Sequence, residues 1–282
     1  MWQKVSNLDR RWIYLGVAIC AALPLILEFI LPIPATPPVK RLFDAIENMP
    51  PGHFILLSMD FEPSTMPELL PMAYAITQHA LSRGIKVGFM TLAPAGPGMI
   101  EIVLEDIRKA YPDRKYGEDY VNFGYKPGLS AVILGIGEDI HRVFPRDAYG
   151  TPLEDIPMMR EIHNYKQIDL VISLSGAGYP DAWLLYANAR YGQAVATGAT
   201  AVMAPLYYAY LATGQFVGML GGLKGAAEYA ELVRKAGYMR IPEVQHRVGV
   251  QMSSQSFVHI YIVLLIIVGN IAFFFIRRSG GR

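Results

Sequence analysis

FILLSMDFEPSTMPELLPMAYAITQHALSRGIKVGFMTL, residues 54–92, sets two short apolar runs on either side of a segment with helical period. FILLS (54–58) and KVGFMTL (86–92) are continuous rather than alternating, which implies strands buried on both faces. Between them Leu69, Leu70, Ala73, Ile76, Ala80 and Leu81 recur at i, i+3, i+4 spacing, and Gly84 ends the pattern. Strand, helix and strand in this order form the unit from which a parallel sheet is built.

Working outward, SAVILG (130–135), DLVISLS (169–175) and ATAVMA (199–204) supply three more expected strands. The fold class expected is α/β: a doubly wound, mostly parallel, Rossmann-like sheet over residues 53–245, between two transmembrane helices. Before it, 35–52 holds prolines in quick succession and reads as a stiff stalk with one short helix, Val39–Asn48.

The flanks carry the apolar excess. Of 282 residues, 52% are hydrophobic and only 17% charged, where soluble domains average about 25% charged. Residues 12–34 contain one charge, Glu28, and residues 257–276 contain none. Each approaches the roughly 20 residues needed to cross a hydrocarbon layer about 30 Å thick. A cleaved signal peptide is a poorer reading of the first segment, because no small-residue cleavage site follows and prolines do. The basic residues Lys4, Arg10, Arg11, Arg277, Arg278 and Arg282 lie outside the spans, in segments 1–11 and 277–282. They place both termini in the cytoplasm and the α/β domain on the other side. A net charge of +1 gives no footing for nucleic acid. The single cysteine, Cys20, allows neither an internal disulfide nor a cysteine-rich zinc site.

In an open parallel sheet, ligands bind beyond the carboxyl ends of the strands, where strand order reverses. The loop after the first strand carries Asp60 and Glu62. Thr65 stands three residues before Glu68, the spacing of a capping box, with Pro67 in the first turn. Capping thus explains the loop structurally, and an acid/base pair or cation ligands from Asp60 and Glu62 explain it functionally. Two carboxylates without a glycine cradle suit no phosphate. The loop in SLSGAGYPDAW (173–183) offers Ser175, Gly176, Gly178 and Asp181 as ligand-binding residues, or simply a tight strand-to-helix turn. It lacks the third glycine of a dinucleotide fingerprint and the flanking glycines of a nucleophile elbow. Glu138, Asp139 and His141 could ligate a metal, though acids in the first turn of a helix and a surface histidine are the plainer reading; the remaining histidines form no spaced ligand pair, and no metal is expected. No motif specifies a cofactor.

From Tyr191 to Leu223 no residue is charged. The stretch reads as a strand and buried helix of the domain, as a membrane-contacting segment, or as a third span. Its Gly214, Gly218 and Gly222 lie four apart, which on a helix would make a smooth ridge for an oligomer contact. Two functions follow. One is a membrane-anchored component that binds a ligand or partner outside the cytoplasm, scaffolds a membrane complex and oligomerises. The other is a membrane-anchored hydrolase or transferase using Asp60 and Glu62 with the Gly176–Gly178 turn.

Overall fold

The computed structural model describes residues 9–279. Lys4, Arg282 and the side chain of Arg278, which enter the orientation argument, lie outside the described residues. The chain runs α1 (Arg10–Leu27), α2 (Pro37–Glu47), β1 (Phe54–Asp60), α3 (Met66–Ser82), β2 (Lys86–Thr91), α4 (Gly96–Ala110), β3 (Tyr120–Tyr125) and α5 (Leu129–Glu138). It continues through β4 (Leu170–Ser175), a helical run α6 (179–191), β5 (Val195–Ala199), α7 (Ala204–Ala212), β6 (Phe216–Gly221), α8 (Gly222–Lys235) and α9 (Pro242–Ser279). It divides into two units, 33–245 and a second made of the N-terminal segment to 32 with the segment from 246 onward.

The larger unit is a six-stranded, all-parallel sheet in the order β3-β2-β1-β4-β5-β6. Each half grows outward from the centre, so strand order reverses between β1 and β4. Residues 126–169 carry the chain from the β3 edge back to β4. Both central strands are buried along their whole length, as continuous apolar runs require. Along β1 the side chains alternate. Phe54 and Leu56 join Val171, Ile133, Trp183 and Phe216 in the core of one face, and Ser58 and Asp60 continue on that side. The other face receives Ile55, Leu57 and Met59.

Several expectations are corrected. SAVILG is helix α5, because Val132, Ile133 and Ile136 recur at helical spacing and bury one side. The third strand is YVNFGY, and the backbone of Gly124 (φ +74) lies in the left-handed region within it, near a register shift against β2. The fifth strand is VATGA rather than ATAVMA, and Gly198 passes so close to Leu174 and Met72 that a Cβ would lie 2.5 and 2.7 Å from them. The proline-rich segment is no free stalk, since α2 buries Leu42 and Ile46 completely within the α/β unit. The glycine ridge does not exist: Gly214 sits in a turn, Gly218 within β6 and Gly222 at the start of α8. A Cβ on Gly218 would lie 2.5 Å from the Leu42 backbone nitrogen, so that glycine is spent on packing α2 against β6. The capping box is absent as well. Thr65 Oγ1 donates to the Glu62 carbonyl at 3.2 Å, and the Glu68 carboxylate accepts from Ala201 N–H at 2.8 Å.

The smaller unit pairs α1 with the later part of α9. Asp9 caps α1 by accepting from Arg11 N–H at 2.9 Å, and the helix ends at Glu28 in the left-handed conformation (φ 49). Ser254 Oγ donates to the Ala21 carbonyl at 2.8 Å, Leu31 N–H to Ser253 Oγ at 2.9 Å, and Phe29 meets Phe257 edge to face. Both helices are long and apolar enough to cross a membrane. Their outer sides, including Ile26, Leu264, Ile267, Phe273 and Phe274, are uncovered.

Candidate functional site

At the reversal of strand order, the loops after β1, β2 and β4 enclose a cleft of about 360 Å³. Asp60, the last residue of β1, stands at its base. Its Oδ2 accepts from Ser58 Oγ at 2.6 Å and its Oδ1 from Leu92 N–H at 2.6 Å, with Ser173 Oγ at 3.5 Å. The register explains the convergence. Ser58 precedes Asp60 by two on the same face of β1, and Ser58 is paired with Ser173 on β4. Trp183 Nε1–H is buried without a hydrogen-bond partner and lies close enough to the carboxylate to oppose its upward shift.

Asp60 is only 2% exposed, and burial pushes its carboxyl up to about 6 against the opposing pull of these donors. Desolvation wins because every donor is neutral. Among the described residues, no Lys, Arg or His forms an ion pair with Asp60 or Glu62.

Glu62 lies on the exposed rim and accepts from Ser64 Oγ at 2.9 Å. Gly176 closes the opposite wall: a Cβ there would lie 2.7 Å from Thr65 Cγ2, so only glycine lets the loops after β1 and β4 approach this closely. Tyr179, at the start of α6, completes that wall. Burial raises its phenol, and the charges of Asp60, Tyr125 and Glu62 raise it further. Phe61, Pro94, Ala95 and Ala177 supply the apolar surface.

Of the residues singled out in the sequence, Asp60, Glu62 and Gly176 therefore meet in one cleft. Ser175, Gly178 and Asp181 do not line it. Ser175 Oγ is engaged by its own loop, accepting from Ala177 N–H at 2.9 Å and donating to the Ala177 carbonyl at 3.1 Å. Gly178 precedes α6, and the Asp181 carboxylate accepts from Tyr207 O–H at 3.2 Å. His141 Nε2 lies 3.0 and 3.1 Å from the Met159 and Ile162 carbonyls. Among the described residues, no group of three His, Cys, Asp or Glu side chains is placed to hold a metal ion. The contributions of Ser58, Ser173, Trp183 and Tyr179 escape sequence reasoning. The available signal is a serine interrupting each of two otherwise apolar strands.

Comparison with protein families, with curated proteins and with solved structures gave no match to this chain.

Proposed function

We propose that this chain is a membrane-anchored binding module whose α/β unit captures a small ligand at the β1/β4 switch point. The observation that carries this reading is the convergence of Asp60, Glu62 and Gly176 on one cleft where α/β sheets ordinarily bind ligands. Anchoring rests on α1 and α9. Uncovered apolar side chains of this extent are costly in water and favourable in lipid. The basic residues outside the spans favour cytoplasmic termini with the α/β unit on the opposite side. A partner in the membrane plane, or a second copy of the chain, would meet the uncovered sides of these helices.

Binding is tested by screening small molecules for thermal stabilisation of the full chain in non-ionic detergent. Ala177→Trp, which fills the cleft, must abolish every genuine hit. If hits persist in that variant, the ligand binds elsewhere and the reading fails. Orientation is tested with a reporter fused after Arg282, which must be active only in the cytoplasm.

A second reading, a hydrolase or transferase with Asp60 as acid/base, is favoured by a carboxyl pushed up to about 6 at the base of a cleft. Ser175 does not support it as nucleophile, because its hydroxyl is already engaged.

A further inference from the structure

The chemistry of the cleft narrows its ligand. Its two charged lining residues, Asp60 and Glu62, are both acidic, and no cation stands among the others. A phosphate or carboxylate would meet the buried Asp60 and the rim carboxylate Glu62, with no cationic partner. The loop after β1, where a Rossmann sheet usually cradles a pyrophosphate on glycine backbone, here reads DFEPST. It contains no glycine, and Pro63 removes a donor.

A fully buried carboxylate is ordinarily paired with an opposite charge. Asp60 has only neutral donors: the Ser58 and Ser173 hydroxyls, both on Oδ2, and the Leu92 N–H on Oδ1. Ionised, it offers about four lone-pair sites, and Ser58 and Leu92 fill two of them at short distance. Capacity remains, and among the described residues no counter-charge pairs with Asp60. Phe61, Pro94, Ala95 and Ala177 make walls suited to methylene groups. The volume, about 360 Å³, sits at the small end of the roughly 300–1,000 Å³ typical of ligand pockets.

We infer that the cleft takes a small organic amine, with its ammonium group at Asp60 and Glu62 and its carbon chain along the apolar walls. This inference rests on the cleft being a ligand site, and it names the class of ligand. It implies proton linkage, because the ammonium pairs only with ionised Asp60. The titratable groups that share the cleft with Asp60 are Glu62 on its own loop and Tyr179 on α6, and Tyr125 at the end of β3 acts on Tyr179. The Tyr179 phenol is raised above its ordinary value, so the titration seen in binding belongs to Asp60.

The test is isothermal titration of the full chain in non-ionic detergent with three probes of matched length: 1,5-diaminopentane, 1,5-pentanediol and glutarate. The expected result at about pH 7.5 is that the diamine binds at least about tenfold more tightly than the diol, and that glutarate does not bind. At about pH 5 the diamine should weaken about tenfold, the change set by one proton over one pH unit below the carboxyl's midpoint. Asp60→Asn should abolish the preference for diamine over diol. Glu62→Gln, an exposed change that leaves the core untouched, should weaken the diamine alone and serves if Asp60→Asn does not fold. Diol or glutarate binding as tightly as the diamine, sensitive to Ala177→Trp, would overturn the amine assignment and leave the ligand site standing. Failure of all three probes to bind would overturn both.

Discussion

Replacing Asp60 by asparagine should change how stability responds to pH. The carboxyl is pushed up to about 6 in the folded chain from an ordinary 3.8. A group held above its unfolded value binds its proton more tightly in the native state. Its stabilising contribution is therefore complete below the unfolded value and is lost as pH rises through the folded one. A shift of about two units corresponds to about 3 kcal/mol. Between about pH 7.5 and pH 4.5, roughly 2 kcal/mol of that is recovered, or about 4–8 °C in melting temperature for a unit of this size. The wild-type curve alone will not display it, because His79 works against it. Burial lowers that imidazole to about 4 from 6.5, so its neutral form stabilises above about pH 6.5 and the contribution is lost as pH falls. The two nearly cancel over the same window. The assay is thermal unfolding of wild type and Asp60→Asn, full chain in detergent, followed by near-ultraviolet circular dichroism across that range. The melting temperature of wild type minus variant should climb as pH falls. Parallel curves would refute the argument that desolvation outweighs the hydrogen bonds at Asp60.

Three further outcomes follow from the same packing. His79 is wholly buried, stacked between Phe43 and Tyr238 and bonded to Tyr229 Oη at 2.8 Å and Glu47 at 2.9 Å; His79→Ala should cost about 2–4 kcal/mol, and denaturant unfolding would remove that role if it found no loss. Gly218→Ala should destabilise by about 1–3 kcal/mol through overpacking against α2, and light scattering should find the particle mass unchanged; a smaller particle with unaltered stability would restore the glycine to an assembly contact. Thr65→Ala should be near neutral, whereas Glu68→Ala should cost about 1 kcal/mol by leaving Ala201 N–H without its carboxylate, and the reverse order in melting curves would reinstate the capping box.

How much of this architecture was legible depends on how far each signal is local. β1, α3, β2 and β4 combine continuous apolar runs with helical periodicity, and they stand where the sequence puts them. β3 and β6 do not announce themselves, because each contains a glycine whose use is decided by a distant neighbour. Gly124 turns the backbone inside β3, and Gly218 admits the Leu42 backbone to β6. Read locally, such glycines mark turns or a helical ridge. α5 was lost for a related reason. SAVILG is too short and too evenly apolar for its period to show, and its burial pattern became visible only once α6 lay against it.

The site was half legible, and the half that was missed explains the half that was found. Position alone, at the carboxyl ends of the strands, brings Asp60, Glu62 and Gly176 forward. What the sequence hides is which strands are neighbours, and hence that Ser58 and Ser173 stand in register beside the carboxylate. A structural role at the end of β1 would be met as well by an asparagine, which could accept from Leu92 N–H and donate to Ser58 without any charge to desolvate. An aspartate in that place lowers stability at neutral pH and gains nothing from the fold in return. Local preference and burial disagree here, at the same point where the topology opens its cleft. Such disagreements concentrate where a residue answers to something besides folding, and in this chain the unanswered charge is the property a cationic ligand would satisfy.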